Sequence, residues 1–220
     1  MLDRPDPEGS RGDADETLLD LDAVIASGWA DPDSIPPGEY AMAAALYASM
    51  RQQDQRLLAI REAVATEIEA WTGQVARDVG SFGLRLNLAT SDLDLGIGYP
   101  PAERQRVMDV LGRHGVFKGE RQTSFTTTRL VFLLVREGLE IDLSVLTEED
   151  FKVACRMLDE IDQTMSEPER VAHTWVKYLL RRAGRLEDYA AWKLVTYRRF
   201  CPDFNWVPIL EKPTARAERR

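Results

Sequence analysis

Apolar residues follow three rhythms in turn along the chain. Between Tyr40 and Trp71, Leu46, Met50, Leu57, Ile60, Val64, Ile68 and Trp71 recur at steps of three, four or seven. That spacing predicts one long helix with a single apolar stripe, either core or a face for a second copy of the chain. After Gly73 the rhythm shortens. QVARDVG predicts a short strand entering Gly80-Ser81. DLDLGIG alternates strictly, with Leu93, Leu95 and Ile97 on one face and Asp92 and Asp94 on the other. VFKGERQ, RLVFLLV and LEIDLSVL predict three more strands, the last two joined by a hairpin at Glu137-Gly138. Between these, PPAERQRVMDVLGRHG predicts a helix from its prolines to Gly115. From Thr147 the helical rhythm returns, over about 148–165, 168–183 and 187–200. A shorter helix is expected around DETLLDLDAVIASG, ahead of the turn-rich ADPDSIPPGE.

Helices, then a small mixed sheet, then helices again make the expected class α+β rather than a regular βαβ array. The corresponding division is an acidic, Pro/Gly-rich disordered tail over 1–14, a helical region over 15–72, a sheet-bearing core over 73–147 and a C-terminal helical region over 148–220. With 44% apolar residues in 220, the chain can bury a core, which argues against global disorder. No apolar run approaches the ~18 residues needed to cross a bilayer, and the N-terminus lacks the plan of a signal peptide. The expectation is a cytoplasmic protein with no membrane partner.

Net charge is −9, distributed as −10 over residues 1–70, −5 over 71–170 and +6 over 171–220. The acidic excess argues against bulk nucleic-acid binding. The basic last fifty residues read either as a solvated tail or as an anion site. Cys155 and Cys201 stand far apart, and His114 and His173 are the only histidines, so thiolate and His-rich metal sites are improbable. A metal here would be held by carboxylates, which favours Mg²⁺ or Mn²⁺.

Asp92 and Asp94, two apart on a strand, point to one side roughly 6.5–7 Å apart at the Cα atoms. Like charges so placed repel, and a cation offsets that repulsion. EIDLSV offers a third carboxylate, Asp142, with Ser144 on the same face. Three carboxylates on adjacent strands suit a two-metal site for in-line attack at phosphorus. The Gly80-Ser81 turn supplies backbone N–H groups and a hydroxyl as a cradle for a triphosphate, making a nucleoside triphosphate the expected substrate.

Gly80-Ser81, the eleven-residue step to Asp92, the run Ser91-Asp92-Leu93-Asp94-Leu95 and Asp142 together resemble the DNA polymerase β-like nucleotidyltransferase superfamily. The wording GSFGLRLNLATSDLDL is most similar to the branch of noncanonical poly(A) polymerases and terminal uridylyltransferases. The resemblance covers about residues 75–146, and more weakly 168–200. It implies a nucleotidyltransferase fold with Asp92, Asp94 and Asp142 as a catalytic metal triad, and Gly80 and Ser81 at the β- and γ-phosphates. It further implies triphosphate contacts from Lys177 and, one turn on, Arg181, and places Tyr189 where that branch stacks a nucleobase; core packing is the alternative for Tyr189, as for Trp192.

The implied reaction moves a nucleoside monophosphate from the triphosphate to an acceptor hydroxyl, releasing pyrophosphate. A small molecule or a protein side chain is the expected acceptor. The alternatives are addition to an RNA 3′ end and a nonenzymatic nucleotide-binding module. Thr126, Thr127 and Thr128 read as a plain loop or as an approach to the acceptor, and His114 and His173 as surface or packing residues.

Overall fold

In a computed structural model, residues 19–89, 91–121, 129–202 and 204 are described. The expectations for the 1–14 tail and for Thr126–Thr128 lie outside them, as do residues 205–220 of the expected C-terminal helical region.

Helix α1 (Leu21–Ser27) begins where the Asp20 carboxylate accepts the N–H groups of Asp22 and Ala23. A 3₁₀ turn over Pro32–Ser34 sits within the turn-rich stretch. Helix α2 (Pro37–Thr72) starts on proline and spans about 54 Å at 1.5 Å per residue. Its stripe serves two cores. Ala43 and Tyr47 pack with Val171, Val176 and Trp192 of the C-terminal helices. Ile60, Val64 and Ile68 pack with the sheet. The expected stripe is therefore filled by the chain's own core, and one continuous helix ties the helical part to the sheet.

The sheet has five strands: β1 (Arg77–Asp78), β2 (Leu93–Tyr99), β3 (Val116–Arg121), β4 (Arg129–Arg136) and β5 (Leu139–Thr147). Their order is β1-β2-β5-β4-β3. Only β2 and β5 run parallel; the other neighbours are antiparallel. Glu137 and Gly138 both hold positive φ, 51° and 77°, as a two-residue I′ hairpin requires. One face of the sheet carries Leu93, Leu95, Ile97, Phe132 and Leu143 against α2 and α3 (Arg104–Leu111). Helix α3 ends at Leu111, not at Gly115 as expected. From Arg113 to Gly115 the N–H groups turn back onto Val110 and Leu111. A side chain at Gly115 would come within 2.8 Å of the Leu133 carbonyl oxygen.

The opposite face carries Asp94, Gly96 and Gly98, and helix α4 (Glu148–Thr164) crosses it. A Cβ on Gly98 would sit 3.0 Å from Phe151, so the absent side chains let α4 lie close to β2. Helices α5 (Glu167–Arg182) and α6 (Leu186–Phe200) close the molecule on this side. A third core of Leu84 and Leu86 with Met157, Ile161, Tyr197 and Phe200 joins the β1–β2 loop to α4 and α6. Among the described residues no helix is long and apolar enough to cross a membrane.

Candidate functional site

The alternation of β2 and β5 decides where the carboxylates stand. With Leu93 and Leu95 committed to the core, Asp94 must emerge on the other face, and Ile141 and Leu143 impose the same on Asp142. The parallel register then places Asp94 directly opposite Asp142 and Gly96 opposite Ser144. Asp92, exposed, lies immediately before β2. The fifty-residue separation between Asp92 and Asp142 is thus spanned by neighbouring strands.

The loop between β1 and β2 brings Gly80 and Ser81 to the same place. A Cβ built on Gly80 would lie 1.9 Å from Asp94 Oδ2, so the carboxylate rests on bare backbone that only glycine offers. The loop is held by internal bonds, Leu86 N–H to Ser81 O (2.8 Å) and Leu88 N–H to Ser91 Oγ (2.9 Å). Three cations from distant elements grip its carbonyls. Arg170, buried, donates to Leu84 O. Lys177 Nζ donates to Leu86 O and to Ser91 Oγ, both at 3.0 Å. Arg51 donates to the Asn87 side-chain oxygen at 2.7 Å, while Asn87 Nδ2 donates to Asp54 at 2.9 Å.

These elements enclose a cavity of about 440 Å³, within the ~300–1,000 Å³ range of small-molecule sites. Gly80, Ser81, Asp92, Asp94, Lys177, Arg181 and Tyr189, all expected from the sequence, line it. Asp142 does not line it but stands beside Asp94 in the ladder. Lys177 is buried, and its ammonium bonds are spent on the loop. Arg181, one turn later, is exposed at the cavity edge. Tyr189 is flanked on its ring by two ammonium groups, Lys177 at 5.6 Å and Lys193 at 5.8 Å. Trp192 is core. His114 stacks on Trp71 at 3.8 Å, and His173 is buried among Tyr189, Trp192 and Tyr197.

Arg129, Ser144 and Lys193 are cavity residues that escaped sequence reasoning as site groups. Arg129, at the start of β4, donates to Ser144 Oγ at 2.8 Å, and Ser144 shares the face of Asp142. The i+2 step from Asp142 was the available signal for Ser144. Lys193 lies one helical turn past Tyr189 on α6, and that i+4 spacing could have flagged it.

The electrostatics are those of crowded charge in a poorly solvated place. Burial raises the Asp94 carboxyl above the usual range; Lys193 pulls it back, and Asp142 and Asp92 push it further up. Burial lowers Lys177 to about 7, with Lys193 adding repulsion. Burial also lowers Lys193 and Arg129, while Asp94 works against both shifts. As oxygen donors, Asp92, Asp94 and Asp142 fit a hard divalent ion, and a cation would relieve the pressure on Asp94. Among the described residues, however, no three His, Cys, Asp or Glu side chains are gathered as a metal-holding cluster.

No family model and no curated protein matches the chain. Among solved structures, a chain in the "structure of GLD-2/RNP-8 complex" is similar in fold, with a TM-score of 0.50 at 14% identity. The match covers 73% of this chain and 65% of that one, so the present chain spans just under two thirds of the solved chain's length. The likeness is one of fold: an α+β arrangement of mixed sheet and flanking helices.

Proposed function

We propose that the chain is a metal-dependent nucleotidyltransferase that moves a nucleoside monophosphate from a triphosphate to an acceptor hydroxyl. One observation carries this reading: Asp94 and Asp142 stand opposite each other on parallel strands, with the Gly80 backbone packed directly on the Asp94 carboxylate. A carboxylate pair beside a glycine turn, at the edge of a cavity of nucleotide size, suits phosphoryl chemistry. The fold likeness supports the same reading.

Asp92, Asp94 and Asp142 would hold Mg²⁺ or Mn²⁺, which supplies a lowered pKa for the attacking hydroxyl and charge neutralisation at phosphate. The Gly80 N–H and the Ser81 hydroxyl receive the β- and γ-phosphates. Arg129, Arg181 and Lys193 supply positive charge from three sides of the cavity. Lys177 holds the loop that presents Gly80 and Asp92. Asp142 orients the acceptor hydroxyl and takes its proton as the oxygen bonds to the α-phosphorus. The α–β bridging bond breaks, and pyrophosphate leaves with its electron pair.

A small molecule or a protein side chain is the acceptor this reading favours, given the acidic chain. Addition to an RNA 3′ end is the second reading, favoured by the +6 charge of residues 171–220. The test is transfer of α-labelled nucleotides to RNA and to small acceptors, by wild type and by Asp92→Asn and Asp94→Asn. Both substitutions should abolish transfer while the protein remains folded. Full activity in either variant sinks the assignment, and steep loss of RNA transfer with added salt would select the second reading.

A further inference from the structure

We propose that Lys193 is a built-in counter-cation of the cavity, anchoring the phosphate chain of a nucleotide so that polyphosphate binding does not depend on a divalent ion. The proposal rests on reading the cavity as a nucleotide site, and it concerns binding rather than transfer. Its first support is the charge balance. Among the described residues the lining contains four cations, Arg129, Lys177, Arg181 and Lys193, against two carboxylates, Asp92 and Asp94. Counting Asp142 as well leaves four basic side chains to three carboxylates, in a chain whose net charge is −9. An acidic protein has concentrated positive charge at one cavity, and that cavity attracts anions before any metal arrives.

The second support is how those four cations are engaged. Lys177 spends its donors on Leu86 O and Ser91 Oγ. Arg129 donates to Ser144. Arg181 is exposed at the edge. Lys193 is half-buried on the cavity wall and makes no hydrogen bond or ion pair with another described residue. Among the described residues its ammonium meets only the ring faces of Tyr189 at 5.8 Å and Tyr197 at 5.9 Å. Ring faces hold a cation in place without using its N–H donors. A half-buried ammonium whose donors meet no acceptor among the described residues is poised for one, and phosphate oxygens are the acceptors a nucleotide brings. Lys193 also acts on Asp94 as its largest opposing charge, so the carboxylate nearest the Gly80 turn is partly neutralised from within the chain.

Isothermal titration calorimetry with inorganic tripolyphosphate tests this, in EDTA and in Mg²⁺, on wild type, Lys193→Met and Lys193→Arg. Wild type should bind in EDTA within roughly tenfold of its affinity in Mg²⁺. Lys193→Met should weaken binding in EDTA by roughly tenfold or more, and Lys193→Arg should recover most of the loss. Failure of wild type to bind in EDTA overturns the proposal, as does equal affinity in Lys193→Met. Metal-free binding without transfer to any acceptor would retain this inference and reject the transferase reading; transfer without metal-free binding would do the reverse.

Discussion

Replacing Gly80 with alanine asks whether the Asp94 carboxylate works where it stands. The added Cβ would lie 1.9 Å from Asp94 Oδ2, 2.5 Å from its Cγ and 2.4 Å from its Cβ, where ordinary contact begins near 3.4 Å. Gly80 does not adopt the left-handed φ that would itself forbid alanine, so the cost is steric. The carboxylate oxygen must retreat by about 1.5 Å, while β2 is held between β1 and β5 and cannot follow. Overpacking of this kind costs about 1–3 kcal/mol. For a chain of 220 residues that lowers Tm by about 2–12 °C. Misplacing a reacting group by ~1 Å costs ~100-fold in rate, so transfer should fall at least that far below the melting transition. Gly96→Ala is the matched control. Its Cβ meets Val79 Cγ1 at 2.5 Å, an apolar clash on the same face that does not touch the carboxylate. It should lose stability to a similar extent and keep transfer within a few-fold. Single-turnover transfer of α-labelled nucleotide, with thermal denaturation alongside, separates the two effects. Near-normal transfer by folded Gly80→Ala would refute the idea that Asp94 acts from its seat on Gly80.

The remaining predictions concern the supports of the site. Lys177 falls from 10.5 to about 7 on folding. Between those values the unfolded chain carries a proton that the folded protein has lost, so stability should rise with pH from about 7 towards 10.5. Urea midpoints at pH 7 and pH 9 measure this, and an unchanged slope in Lys177→Met would contradict it. His173 is buried with neither ring nitrogen bonded to another described residue, and it lies between aromatic rings. His173→Phe should therefore match or exceed wild-type stability, by about 2–4 °C in Tm per kcal/mol gained; a clear fall in Tm would show that the imidazole has a partner. Asn87→Ala breaks the bridge from Arg51 and Asp54 to the loop and should cost about 1–3 kcal/mol in urea denaturation. A loss near zero would mean that α2 does not hold the loop.

Much of the molecule was legible because its signals are local. The step pattern of α2, the alternation of β2 and β5, and the Glu137-Gly138 turn each lie within a few residues, and each appears where periodicity put it. The facing of Asp94 and Asp142 away from the core followed from the leucines and isoleucine around them, since a strand has only two sides. The end of α3 was less legible, because the close approach of β4 to Gly115 is not a property of the helix's own residues.

By itself the sequence determined the class of the fold, the strands that carry Asp94 and Asp142, and a glycine beside them. Only the tertiary structure decided what the cations do. Lys177 is tied to Leu86 across 91 positions and Arg170 to Leu84 across 86, and both hold the loop. Lys193, whose ammonium makes no hydrogen bond or ion pair with another described residue, is placed at the cavity by the packing of α6 against α4 and α5. A charged side chain on a helix looks the same in sequence whether it is solvated, clamping a backbone or waiting in a cavity. The difference lies in which distant acceptors fall within 3 Å, and three-dimensional packing alone sets that distance.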